Sequence, residues 1–149
     1  MKVKNPMVML RDMAEDKLTE AAQALGSAQQ SWQQAVSQRD QLQGYEKEYQ
    51  QSLRSGMMER GMSVADLVNH QSFILSLNQV VSQHSQHVSH CEQAVTDAKA
   101  SWIEDKQRLN AFETLLTRRE TARELAESRY EQKQMDEFAQ RAGQKREML

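Results

Sequence analysis

The chain is poor in the residues that staple, break or fill a globular fold. Of 149 residues one is cysteine, one is proline and five are glycine, and aromatic side chains make up only 5%. The single cysteine, Cys91, excludes an internal disulfide and fits a reducing compartment. No stretch approaches the roughly 18 apolar residues that a membrane-spanning helix needs. The apolar run at 7–10 is too short for the core of a signal peptide, so a cytosolic protein is expected. No charge of one sign dominates: 19 basic and 21 acidic side chains leave a net charge of −2. That is a mixed, solvated surface and not the footprint of a nucleic-acid-binding protein. There is no glycine-rich phosphate loop, no CxxC pair and no HExxH.

What remains is helix-forming material. Gln occupies 20 positions, and Glu, Ala, Arg, Lys and Leu supply much of the rest. Over 67–116 the sequence contains neither Gly nor Pro. Read at alternating steps of three and four, it gives Leu67, His70, Ile74, Leu77, Val81, His84, Val88, Cys91, Val95, Ala98, Trp102, Asp105, Leu109, Phe112 and Leu116. Such an alternation averages 3.5 residues per turn and keeps one narrow apolar stripe against a partner helix. Fifty residues of helix span roughly 75 Å at 1.5 Å per residue. A helix so long with so narrow a stripe needs a second helix beside it.

The first part of the chain supplies that helix. Ala14, Leu18, Ala21, Leu25, Ala28, Trp32, Ala35, Arg39, Leu42, Glu46, Tyr49 and Leu53 follow the same spacing. Asn5-Pro6 suits a helix start, with Pro6 in the first turn. Gly56, Gly61 and Ser63 interrupt the pattern, with Met57, Met58 and Met62 between them, and Ser63-x-x-Asp66 reads as the cap of a second helix. The expected fold is all-α: a long antiparallel two-helix coiled-coil hairpin in a single domain. Helix one covers about 7–55, the loop about 56–64 and helix two about 65–142. Folding about residue 60 puts Trp32 near Val88 and Cys91, Leu42 near Leu77 to Val81, and Trp102 near Ala21 and Leu18. Helix one is exhausted near residue 10, so residues beyond about 115 form an unpaired C-terminal helical extension. Leu125, Tyr130 and Phe138 then lie among interleaved charges such as Arg123, Glu127 and Arg129. A charge-rich helix that also carries large apolar residues without a partner reads as a docking element.

Catalytic chemistry is not legible. His87 and Cys91 stand at i, i+4, a spacing that can place two ligands on one metal. No acidic cluster accompanies them, and the inward Glu-x-x-His motif of di-metal bundles is missing. Solvated or seam-edge histidines and a small buried thiol are the simpler reading. No enzyme, metal or cofactor is expected. Tyr45 and Phe73 lie one position off their seams. With Gln38, Leu42 and Tyr49 on helix one, and Leu77, Val80 and His84 on helix two, they form stripes flanking the seam. Two readings stay open: a broadened core, or an exposed aromatic patch for a partner.

The chain resembles the FliJ family of flagellar type III export proteins. The resemblance rests on Ser101-Trp102 with Asp105-Lys106-Gln107-Arg108-Leu109, on 134–142 (QMDEFAQRA), on Leu42, Tyr45 and Tyr49, and on Phe73-Ile74 with Leu77 and His84. It spans nearly the whole length. It implies a cytoplasmic coiled coil similar to the central stalk of rotary ATPases, peripheral at the inner membrane when bound to the export apparatus. Its partners would be the hexameric export ATPase FliI, the export-gate protein FlhA and the flagellar export chaperones. The family's gate-contacting cluster maps onto Gln38, Leu42, Tyr45, Tyr49, Phe73, Leu77, Val80 and His84. Contacts to the ATPase ring would lie near the termini, where Met13, Lys17, Arg123, Glu127 and Tyr130 are assigned by position alone. The function so implied is flagellum biogenesis and motility, through a stalk that promotes ring assembly and couples the ring to the gate. The alternatives are an export chaperone that carries substrates without affecting the ATPase, and the stalk of a virulence-type secretion system.

Overall fold

The structure, a computed structural model, describes residues 5–148. Two helices account for nearly all of it: α1 (Pro6–Arg60) and α2 (Val64–Met148). They pack against each other as a helical hairpin, with no strand among the described residues. The starts of both helices are capped, α2 by the Ser63 that the sequence singled out and α1 by Asn5. The Asn5 side-chain oxygen accepts a hydrogen bond from the Met7 amide at 3.0 Å, and the Ser63 hydroxyl accepts one from the Asp66 amide at 3.2 Å.

The helices run longer, and the connection shorter, than the sequence suggested. The expected loop at about 56–64 shrinks to residues 61–63, and the end expected near 142 moves to Met148. Gly56 stays helical because one glycine costs only about 1 kcal/mol, and Met57, Met58, Glu59 and Arg60 beyond it are tolerant of helix. Gly143 is carried through in the same way by Gln144, Lys145 and Arg146. Only Gly61 turns the chain, at a φ of +67° that other L-residues rarely adopt.

Contacts divide the hairpin into two units: residues 19–104, and residues 1–18 with 105–149. In the first unit the core is a cluster of Ala35, Val88 and Cys91, with Trp32 and Val36 packed against it. This is the pairing of Trp32 with Val88 and Cys91 expected from the seams. Ala35 is only 2% exposed; its small side chain lets the backbones approach while Trp32 covers the flank. Tyr49 meets His70 and Phe73 in the same antiparallel sense.

In the second unit Ala14, Asp105 and Leu109 are buried. Asp105 is the one charged residue buried among the described positions, at 8% exposure. Its carboxylate faces the Lys17 ammonium at 3.7 Å and the Arg108 guanidinium at 3.9 Å. Val8 and Arg11 line a surface groove with Leu116, Thr117 and Glu120. From 117 to 147 every described side chain is exposed. Thr117, Glu120 and Glu124 still border the groove with Val8 and Arg11, and past them α2 runs on as an exposed C-terminal extension.

All 27 seam positions read from the sequence, twelve on α1 and fifteen on α2, are buried or half-buried. The seam therefore accounts for the packing within each unit.

Candidate docking surface

The eight residues implied to contact an export gate all belong to the 19–104 unit. Each helix carries two of them on the seam and two off it. Leu42, Tyr49, Leu77 and His84 sit on the seam and are half-buried, whereas Gln38, Tyr45, Phe73 and Val80 are exposed. Tyr45 is 52% and Phe73 50% exposed. Of the two readings of this stripe, a broadened core is thus not what the fold builds at Tyr45 and Phe73. They stand on the surface beside the core.

Local contacts hold these rings in place. Tyr49 packs its ring against Phe73, with centroids 4.7 Å apart and planes tilted by 49°. Its hydroxyl is hydrogen-bonded to His70 Nδ1, and the His70 ring lies 5.6 Å away. Tyr45 accepts a hydrogen bond from Gln41 Nε2 at 3.0 Å, one turn back on α1. An aromatic whose rotamer is already set loses little side-chain entropy on binding. The His70 contact could have been found in the sequence, since His70 was already a seam position; the Gln41 pair follows only from i, i+4 geometry. His84 Nδ1 and Trp32 Nε1 are buried without a hydrogen-bond partner among the described residues.

The five residues assigned to an ATPase ring by position all fall in the other unit. Met13 is exposed and lines a shallow groove with Leu10, Ala14, Arg108 and Phe112. Lys17 borders the same groove and pairs with Asp105. Arg123 donates to Glu120 at 2.8 Å and lies 3.8 Å from Glu127. The Glu120 hydrogen bond, then the charges of Glu120 and Glu127, hold its guanidinium above the usual arginine range. Tyr130 accepts from Gln134 Nε2 at 2.9 Å. Met13 and Lys17 share one groove. Arg123, Glu127 and Tyr130 stand instead on the exposed C-terminal stretch of α2 and line no part of that groove, so the five do not form one patch.

Among the described residues no group of three or more His, Cys, Asp or Glu could hold a metal ion. Cys91 is buried, with His87 Nε2 3.7 Å from its sulfur. No described helix is long and apolar enough to cross a membrane.

Comparison with known proteins adds what geometry cannot. The family model described as "Flagellar FliJ protein" matches residues 3–148. The chain is 41% identical over 140 residues to the flagellar FliJ protein of Escherichia coli (strain K12), covering 94% of this chain and 95% of that one. It is 40% identical over 137 residues to the flagellar FliJ protein of Salmonella typhi, covering 92% of each. With a family model spanning almost every residue, and relatives aligned nearly end to end, this chain belongs to the flagellar FliJ protein family.

Proposed function

We propose that this protein serves flagellar type III export as a non-catalytic stalk and adaptor. The observation that carries the reading is the family match over 3–148. The helical hairpin is in keeping with it, because a stalk needs paired helices rather than a pocket. In this reading the unit that holds residues 1–18 and 105–149 enters the ring of the export ATPase FliI and favours its assembly. Met13, Lys17, Arg123, Glu127 and Tyr130 lie in that unit. The exposed Tyr45 and Phe73, set beside Tyr49 and Val80 in the other unit, engage the cytoplasmic part of the export gate FlhA. Export chaperones are further partners. The protein acts in the cytoplasm and associates peripherally with the membrane-embedded apparatus.

The test is the ATP hydrolysis rate of the cognate export ATPase with and without this protein, alongside electron microscopy of the ATPase. Stimulation together with more rings supports the stalk. If neither changes, the stalk role fails and a chaperone that only carries substrates takes its place.

A further inference from the structure

Fixed charge is distributed in an unexpected way. Asp, Glu, Lys and Arg make up 27% of the chain, yet none occurs over 67–91 on α2 or over 21–38 on α1. All four histidines of the chain, His70, His84, His87 and His90, fall in the first of these stretches. The packing of Ala35 against Val88 and Cys91 brings the two stretches level. Around that cluster, residues 31–38 and 84–91 form a girdle in which neither helix carries a fixed charge on any side. A solvated coiled coil places ion pairs on its outer faces. Solvation alone gives no reason to exclude charge from two helices at one level.

Exclusion of charge has a direct physical use. Burying an amide, a hydroxyl or a neutral imidazole against a partner costs far less than burying an ion. The cores of protein interfaces are correspondingly depleted in charged residues. The girdle also runs on from the aromatic stripe. On α2, Phe73, Val80 and His87 recur at seven-residue steps, and on α1, Tyr45, Gln38 and Ser31 do the same. Each such step returns to nearly the same helix face. All six side chains are exposed.

From this juxtaposition we infer that the docking face does not end at Gln38 and His84 but continues over the girdle to Ser31 and His87, and that it takes an uncharged protein surface. An ion of either sign set against the girdle would find no fixed counter-charge. The inference rests on the gate reading above and names the chemistry of the partner's surface: the patch of the export gate that covers Ser31 and His87 carries no charge.

The experiment measures the affinity of the full-length protein for the cytoplasmic fragment of the gate by isothermal titration calorimetry. Ser31→Lys, Ser31→Glu, His87→Lys and His87→Glu are compared with wild type, and Gln107→Lys, an exposed site in the other unit, serves as control. Ser31 and His87 are exposed helix positions, and circular dichroism checks that every variant keeps its helix content. Both signs of charge at both sites should weaken binding about tenfold or more, with the control unchanged. Opposite effects of Lys and Glu would overturn the inference by showing a charged partner surface, and unchanged affinity in all four would overturn it by placing the girdle outside the interface. In either case a gate that binds wild type leaves the gate reading standing. A gate that does not bind wild type removes that reading and the inference together.

Discussion

Replacing Asp105 by leucine should make the hairpin more stable, although it deletes two ion pairs. The carboxylate is buried, and both cations that face it, Lys17 at 3.7 Å and Arg108 at 3.9 Å, are beyond good hydrogen-bond distance. Their side chains are about half exposed, 57% and 46%, so neither ammonium nor guanidinium is stranded when the acid is gone. Replacing a buried ion by a well-packed apolar group is neutral or stabilising by about 1–3 kcal/mol, and Leu109 and Ala14 provide apolar company in the same unit. Asp105→Asn makes the opposite change, since it keeps a buried polar group and gives up the attraction of Lys17 and Arg108 to the carboxylate. It should cost about 1–2 kcal/mol. Urea unfolding followed by circular dichroism at 222 nm reads both as shifts of the midpoint at constant slope. A loss of more than about 1 kcal/mol in Asp105→Leu would refute the argument. It would mean that the carboxylate stabilises the fold by more than its two visible pairs. A fall in the slope with a raised midpoint would instead reveal the price of leucine here, a seam that no longer holds one register.

Further outcomes follow from the same packing. Ala35→Leu should lower stability by about 1–3 kcal/mol, because a 2% exposed site between Trp32 and Val88 has no room for a larger side chain; the same urea titration measures it. Gly61→Ala should cost about 1–2 kcal/mol through the positive φ alone, and a thermal melt that leaves the midpoint unmoved would show that the turn has another way round. Tyr45→Ala should leave helix content and stability close to wild type while weakening gate binding, as its ring is half exposed and its hydroxyl is held by Gln41 of the same helix. Phe73→Ala should in addition lose about 1 kcal/mol of stability with the Tyr49 ring contact. A large loss of helicity in Tyr45→Ala would return that ring to the core.

The seam was legible because its period is a property of the chain itself. A stripe at alternating three and four residues has one way to be buried, and every seam residue named from 14 to 116 is at least half-buried in the structure. The ends of the helices were less legible. Gly56 and Gly143 carry the same one-letter warning as Gly61, yet only Gly61 takes a positive φ. Which glycine turns the chain depends on where the two seams meet, and that is a tertiary fact. The candidate site was legible in membership and not in depth. Tyr45 and Tyr49 are both aromatic and four residues apart, and the heptad gives the seam to Tyr49 while leaving the surface to Tyr45. The pair of Lys17 with Asp105 could not be seen, because Lys17 lies off the seam and joins a residue distant in sequence through a side chain whose reach the pattern does not encode.

The connection of residues 61–63 also bears on how the 19–104 unit comes into being. Closing a chain segment into a loop costs entropy that grows with its length. Here the first contacts close only a three-residue link, and each later pair extends an existing ladder without opening a new loop. Tyr49 and Phe73 stand twelve residues to either side of Gly61. Once they meet, the next turn of each helix is already delivered to its neighbour. Folding of this unit therefore has the character of a zipper started at one glycine, and a substitution near the turn should slow the closing of the zipper where the same loss of stability near Ala35 would mainly hasten its opening.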